Sequence, residues 1–171
     1  MTQFESLSTD RLTLRMLQDD DLQAIYALRS DETVGRYIGR PLLQHIDEAY
    51  TFTDRIRNGY AAGNIWYWAI CTKDSRDMIG TICLWNFSAD GQVAEAGYEM
   101  LPRYYGNGYM QEALTAVCQY AFHNLKLTAI DAYTHRDNTR SINLLDRAGF
   151  VLCADRTDPD VPANVIYRKE Y

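Results

Sequence analysis

"PRYYGNGYMQEAL", residues 102–114, sets two glycines two positions apart, between a proline and the start of an amphipathic helix. Glycine is costly in ordered structure because it loses more conformational freedom on folding than any other residue. It is useful where the backbone turns sharply or where a ligand approaches the main chain. The first N–H groups of a helix lack acceptors within the helix, and with the helix dipole they bind anions. The stretch therefore predicts either a phosphate site or a plain strand-to-helix turn.

Two common phosphate motifs do not fit this loop. The dinucleotide fingerprint G-x-G-x-x-G requires glycine where Gln111 stands, and the P-loop requires lysine where Tyr109 stands. What remains is an R-x-x-G-x-G pattern made by Arg103, Gly106 and Gly108. Its glycines and its place before a helix favour an anion site, but the pattern alone does not distinguish that site from a turn.

The hydrophobic periodicity around the loop predicts the element order β-α-α-β-β-β-α-β-α-β-β. The longest helical pattern follows the glycines, with apolar residues at helical spacing from Met110 to Leu125. A second helix is predicted over 139–149, with Asn138 as its N-cap and Gly149 just after its last turn. Other helices are predicted from 19 onward and over about 46–58, and strands over 11–16, 65–72, 78–87, 93–101, 128–135, 150–157 and 164–171. This order is typical of a single α/β domain, residues 1–171, with a mixed sheet.

Composition narrows the function classes. The 171 residues are 47% hydrophobic and 23% charged, with a net charge of −6, which is typical of a folded domain. The acidic balance argues against nucleic-acid binding and is compatible with an amine substrate. No apolar run approaches the ~20 residues of a membrane span, and the polar segment MTQFESLSTD shows no signal peptide. The four cysteines are widely separated, which predicts reduced thiols, no metal site and a cytoplasmic location.

Three segments resemble the GNAT superfamily of N-acetyltransferases, and more narrowly the branch that includes the ribosomal-protein N-terminal acetyltransferases. They are STDRLTLRMLQDDDLQAIYAL, EAGYEMLPRYYGNGYMQEAL and HRDNTRSINLLDRAGF, and they follow one another in the family's order. The resemblance implies a mostly antiparallel sheet of about seven strands with about four helices, splayed between the fourth and fifth strands. One departure is Glu99, since family members often carry tryptophan after the G-Y pair.

The resemblance also implies a cofactor site for acetyl-CoA. The glycine loop would cradle the pyrophosphate, and the splayed gap would admit the pantetheine arm. The residues expected to bind the cofactor are Met100, Leu101, Arg103, Tyr104, Tyr105, Gly106, Asn107, Gly108, Tyr109, Asn138 and Ser141. A backbone N–H near Met100 or Leu101, where the family's fourth strand bulges, would stabilise the oxyanion.

Three side chains are candidates for catalysis: Ser141, Glu95 and Glu99. Ser141 matches the hydroxyl position of the ribosomal-protein branch and is expected to protonate the leaving thiolate. Other members use a tyrosine where Leu145 stands here. Glu95 and Glu99 lie four apart on one predicted strand and therefore point to one side. They are candidates to assist deprotonation of the amine, and the alternative is a pair of exposed strand carboxylates.

The sequence therefore predicts an acetyl-CoA-dependent N-acetyltransferase that acts on a primary amine by direct transfer in a ternary complex. A protein N-terminal amine is the preferred acceptor, and the alternatives are a small-molecule amine or a non-catalytic acyl-CoA-binding module. A pure binder needs the loop but not the hydroxyl of Ser141. A monomer or a homodimer is expected, with no nucleic-acid or membrane partner.

Overall fold

The computed structural model describes residues 4–171, so the first three residues of the polar N-terminal segment lie outside the described part. Its strands form one eight-stranded sheet. They are β1 (Leu7–Ser8), β2 (Leu12–Arg15), β3 (Ile65–Thr72), β4 (Met78–Trp85), β5 (Val93–Met100), β6 (Ala129–His135), β7 (Val151–Leu152) and β8 (Asn164–Glu170). The predicted strand over 150–157 ends early, because the N–H of Cys153 still reaches Ile166 but that of Arg156 turns back to Cys153. The additional strand is β1, whose two residues are too few to show alternation.

The α-helices are α1 (Leu22–Ser30), α2 (Glu32–Gly35), α3 (Ile46–Ala61), α4 (Tyr109–His123) and α5 (Thr139–Arg147). Four of them were predicted, and α2 was missed because a single turn carries no helical period. It is held by Asp31, whose side chain accepts a 2.9 Å hydrogen bond from the N–H of Val34. Of the helices within residues 4–171, none is long and apolar enough to cross a membrane.

The strand order is β1-β2-β3-β4-β5-β6-β8-β7, and every neighbouring pair is antiparallel except β5 and β6. The parallel pairing of β5 with β6 covers only three residue pairs, from Val93 with Ala129 to Glu95 with Asp131. Beyond Glu95 the two strands separate, although β5 continues to Met100 and β6 to His135. The strands predicted as fourth and fifth are β5 and β6, because β1 is additional. The predicted GNAT-like α/β fold, with a splay between these two strands, is confirmed.

Helices cover both faces of the sheet and make two cores. On one face α4 and α5 pack their apolar residues, such as Leu114 and Leu145, against residues including Ile82 and Ala96 of the sheet. On the other face α1 and α3 cover the part that contains Tyr67. The glycine loop and the start of α5 meet at the open end of the β5–β6 gap.

The four cysteines are free thiols, and Cys71 and Cys118 are buried.

Candidate active site

A cleft of about 700 Å³ opens where β5 and β6 separate. Its walls are the end of β5, the loop that follows, the first turns of α4 and α5, and α2 with the residues after it. The predicted site residues that line it are Glu99, Met100, Tyr104, Tyr105, Gly106, Gly108, Tyr109, Asn138 and Ser141. The predicted residues outside the lining are Glu95, Leu101, Arg103 and Asn107. The cleft thus brings together segments that are distant in the chain.

The glycine loop presents bare backbone to the cleft. Gly106 and Gly108 have φ angles of +79° and +77°, a region that favours glycine. A Cβ atom at Gly106 would meet no atom within 4 Å, so this backbone is open to a ligand. Gly108 is the N-cap of α4, and the first turn of that helix also lines the cleft. The loop therefore fits an anionic group such as a pyrophosphate.

A side-chain bracket from the first part of the chain holds this loop. Arg11 donates from Nη1 to the carbonyl of Asn107 at 2.9 Å and forms a 2.7 Å ion pair with Glu112. Asn107 itself donates from Nδ2 to the carbonyls of Tyr104 and Tyr105, at 3.2 and 3.1 Å. Asn107 thus shapes the loop by its side chain although it does not line the cleft. Sequence reasoning missed the bracket, although Arg11 lies in the first segment that resembles the family.

Positive charge gathers around the loop. The guanidinium of Arg140, in the first turn of α5, lies 4.0 Å from the ring centroid of Tyr105. Arg147 also lines the cleft, while Arg103 is exposed and stacks over Tyr104 at 4.9 Å. The Arg140–Tyr105 contact crosses the cleft from the α5 wall to the loop wall. These cations complement the phosphate groups that the loop backbone fits.

The expected bulge near Met100 and Leu101 is wrong for this chain. The β4–β5 ladder keeps one register from Trp85 opposite Glu95 to Gly80 opposite Met100. The N–H of Leu101 continues it, donating to Ile79 at 2.9 Å, and is not free to stabilise an oxyanion. Pairs in an antiparallel ladder alternate, so the N–H of Met100 points away from β4 and into the gap. Of the two predicted donors, Met100 has the suitable geometry.

Ser141 faces the cleft from the first turn of α5. The side chain of Asn138 accepts a 3.2 Å hydrogen bond from the N–H of Ser141, which confirms the predicted N-cap. Ser141 is buried, and its Oγ lies 2.7 Å from the hydroxyl of Tyr98 on β5. Burial raises the pKa of Tyr98 to about 12, and the hydrogen bond to Ser141 partly opposes that shift. Sequence reasoning did not identify this contact between Tyr98 and Ser141.

Glu99 lines the cleft, but arginines occupy its carboxylate. Arg40 donates from Nε and Nη2 to its two oxygens, each at 3.0 Å, and Arg29 approaches from Nη1 at 3.4 Å. The three side chains are between 10 and 14% exposed. Arg40 also donates to the carbonyl of Arg29 at 2.8 Å. Both oxygens of Glu99 therefore accept hydrogen bonds from arginines, and the cluster ties the chain after α2 to β5.

Glu95 lies at the paired end of β5, opposite Trp85. Its carboxylate accepts a 3.3 Å hydrogen bond from Nδ2 of Asn86. Burial raises its pKa, which suits a base, yet Glu95 does not line the cleft. Neither predicted carboxylate therefore combines a free oxygen with a place in the cleft.

Within residues 4–171 no group of three or more His, Cys, Asp or Glu side chains is arranged as a metal site.

Comparison with known proteins bears on this geometry. Residues 11–151 match the family model described as an acetyltransferase (GNAT) domain. The chain is 35% identical over 147 residues to the uncharacterized N-acetyltransferase YoaA of Bacillus subtilis, covering 86% of this chain and 83% of that protein. It is 28% identical over 155 residues to the ribosomal protein uS5-alanine N-acetyltransferase of Escherichia coli, covering 84% and 77%. A RimL ribosomal L7/L12 alpha-N-protein acetyltransferase, solved in complex with coenzyme A, shares the fold with a TM-score of 0.82 at 17% identity, covering 97% and 98%.

Proposed function

The chain belongs to the GNAT family of acetyltransferases, and we propose that its acceptor is the α-amine of a protein N-terminus. As a member of that family it is an N-acetyltransferase. The proposed reaction is direct, with acetyl-CoA and the acceptor bound together in the cleft. The uS5-alanine relative acts, by its name, on a ribosomal protein, and this supports the choice of a protein acceptor.

The residues that would hold acetyl-CoA are those of the glycine loop and the two walls beside it. The N–H groups at Gly106, Gly108 and the first turn of α4 would bind the pyrophosphate. The guanidinium of Arg140, which contacts the ring of Tyr105 here, would bind a phosphate instead. Once bound, the cosubstrate supplies an acetyl thioester. The N–H of Met100 would then stabilise negative charge on the carbonyl oxygen.

The observation that carries the choice of acceptor is the double ion pair of Glu99. With this carboxylate occupied by Arg29 and Arg40, Glu99 has no free oxygen to take a proton from the acceptor amine. An α-amine has a pKa of ~8 and a lysine-like amine ~10.4, so about one in ten and about one in 2,500 molecules are neutral at pH 7. An acceptor that is already partly neutral suits a site with a weak base. The α-amine is therefore favoured over an alkylamine.

Charge at the same wall points in the same direction. Among the residues that line the cleft, the cations of Arg36, Arg140 and Arg147 outnumber the carboxylates of Glu99 and Asp137, and Arg29 and Arg40 pair with Glu99. A net positive wall repels a polyamine, which carries several positive charges. It does not repel a peptide whose single terminal amine has lost its proton.

Turnover on a panel of matched acceptors tests this function. We would measure CoA release with a peptide bearing a free N-terminus, the same peptide with an acetylated N-terminus and an internal lysine, spermidine, and free amino acids. Turnover on the free N-terminus, with at least a tenfold preference over the other acceptors, is expected. Turnover on a small amine with none on any peptide would remove the protein acceptor. Tight acetyl-CoA binding without any turnover would favour the non-catalytic alternative.

A further inference from the structure

We propose that Tyr98 is a positioning residue that orients the hydroxyl of Ser141 and replaces the proton Ser141 gives to the sulfur of CoA. The two side chains act as one donor pair that spans the gap between β5 and α5. The inference rests on the proposed function in that acetyl-CoA reacts in this cleft, and on Ser141 being the proton donor that the family resemblance implies. It does not depend on which amine is the acceptor.

The pair connects β5 to α5, the helix that follows β6 in the chain. Tyr98 lies three residues beyond Glu95, the last residue of β5 that pairs with β6. Ser141 stands in the first turn of α5, and both residues line the cleft. Their oxygens are 2.7 Å apart, although the residues are 43 positions apart in the chain. The bond therefore places a second hydroxyl directly behind the predicted donor.

The direction of this hydrogen bond follows from the chemistry of the two groups. The backbone at Ser141 is already served by Asn138, so the serine hydroxyl is not needed as a cap. Phenol is the stronger acid, and an alkyl hydroxyl oxygen is a good acceptor, so Tyr98 donates and Ser141 accepts. The hydrogen of Ser141 is then left for the cleft. Donation into its oxygen also polarises that hydrogen, because linked hydrogen bonds strengthen one another.

The expected benefit is moderate. Burial keeps the pKa of Tyr98 at about 12, so the phenol stays protonated at physiological pH and cannot act as a base. A thiol has a pKa of ~8.5 and leaves well even without full protonation. The pair therefore supports developing charge on sulfur, and its effect belongs at the low end of the ~10²–10⁴ typical of acid catalysis.

The proton balance is complete without another reactant. Ser141 gives its proton to the sulfur as the C–S bond breaks and the amide C–N bond forms. Tyr98 gives its proton to Ser141, and solvent returns one to Tyr98. The proton that the amine nitrogen loses passes to solvent, so the enzyme ends in its starting state.

Kinetics of Tyr98→Phe, Ser141→Ala and the double variant test the pair. Ser141→Ala should lower kcat about 100-fold and Tyr98→Phe about tenfold, with the Kd for acetyl-CoA within about twofold of the parent. The double variant should be no slower than Ser141→Ala, because Tyr98 acts through Ser141. Independent, multiplying losses would overturn the proposal, as would an unchanged kcat in Tyr98→Phe.

The chain offers a matched control in Tyr67. This buried tyrosine donates to the hydroxyl of Thr81 at 2.9 Å, on the face of the sheet covered by α1 and α3. Tyr67→Phe removes the same kind of bond but lies outside the cleft lining. It should lower Tm and leave kcat unchanged. A kcat loss equal to that of Tyr98→Phe would reduce the Tyr98 effect to stability and reject the pair.

A binding measurement separates this inference from the choice of acceptor. Calorimetry would compare CoA with desulfo-CoA, which lacks the thiol, at pH 6 and pH 9. The parent should prefer CoA severalfold more at pH 9, where the thiolate forms, and Tyr98→Phe and Ser141→Ala should lose that gain. Equal pH dependence in all three proteins would reject the pair even if acetyl transfer is observed. If Tyr98→Phe does not fold, 3-fluorotyrosine at position 98 keeps the shape, and its more acidic phenol should strengthen the preference for the thiolate.

Discussion

The glycine loop over 102–109 and the Arg29–Glu99–Arg40 cluster form two walls of one cleft, but they are built differently. The loop offers backbone N–H groups from one short, continuous stretch, shaped by the positive φ angles of Gly106 and Gly108. The cluster consists of side chains from three separate segments, with Arg29 and Glu99 lying 70 positions apart. A backbone wall therefore depends on a few glycines, whereas a side-chain wall depends on every partner in it. Two substitutions, Gly108→Val and Glu99→Gln, separate these two kinds of wall, and a third, Glu95→Gln, lies outside both.

The largest effect is expected at the backbone wall. Gly108→Val introduces a branched side chain at a φ of +77°, where the pyrophosphate is expected to lie. We expect at least about a 100-fold loss of acetyl-CoA affinity, equivalent to about 2.7 kcal/mol at 1.36 kcal/mol per factor of ten, measured by calorimetry. The fold should persist, as shown by circular dichroism.

Gly91→Val is the matched control for this substitution. Gly91 has a φ of +69° in the β4–β5 turn, and a Cβ atom there meets nothing within 4 Å. Both variants carry a left-handed backbone strain of about 1–2 kcal/mol, so this strain does not distinguish them. A Cβ atom at Gly108 lies 3.4 Å from Nη2 of Arg11, which is ordinary van der Waals contact. Unchanged affinity in Gly108→Val, or equal losses in both variants, would remove the pyrophosphate from this loop.

The second effect is expected at the side-chain wall. Glu99→Gln leaves Arg29 and Arg40 without their carboxylate, and breaking a largely buried pair costs about 3 kcal/mol, or roughly 6–12 °C in Tm. The KM for the acceptor should rise, while acetyl-CoA affinity and the shape of the pH profile of kcat/KM should not change. Thermal melts and steady-state kinetics measure these quantities.

Asp19→Asn provides the contrast, since its ion pair with Arg57 is exposed and such pairs contribute at most about 1 kcal/mol. Its Tm should stay near that of the parent. If Glu99→Gln keeps the parent Tm and KM but removes the acid limb of the pH profile, Glu99 is the base after all and the wall has a catalytic purpose.

The smallest effect is expected at Glu95, which belongs to neither wall. Its pKa is raised by burial above the ordinary 4.5, so the charged form is disfavoured in the folded state. The stability it contributes is present below the unfolded pKa and is lost as pH rises through the folded pKa. Glu95→Gln should therefore raise Tm slightly at pH 7 and leave it unchanged near pH 4. Because Glu95 would assist the deprotonation only through water, Glu95→Gln should lower kcat/KM by less than the ~10² at the low end of general-base effects.

A pH series on Glu95→Gln tests both parts of this prediction. Loss of the acid limb of kcat/KM between pH 6 and 9 supports its role in amine deprotonation. A parent-like profile in Glu95→Gln, and also in the double variant with Glu99→Gln, would show that the base lies elsewhere.

The predictable parts of the site are those with a local cause. The glycine pair, the cap at Asn138 and the positive φ of Gly149 each follow from the conformational preference of one residue beside a helix end. The splay came from resemblance to the family, and the structure places it beyond Glu95. By contrast, α2 was missed because one capped turn has no period, and the bulge at Leu101 was wrong because a ladder hydrogen bond occupies its N–H.

The sequence by itself determined the fold class and the position of the glycine loop, because hydrophobic periodicity and glycine conformation are properties of neighbouring residues. Only the tertiary structure decided the state of the side chains in the cleft. Glu99 is neutralised by arginines that reach it from α1 and from the chain after α2, and Ser141 meets Tyr98 across a gap in the sheet. Such contacts join residues that share no periodicity, and they exist only once packing brings their elements together.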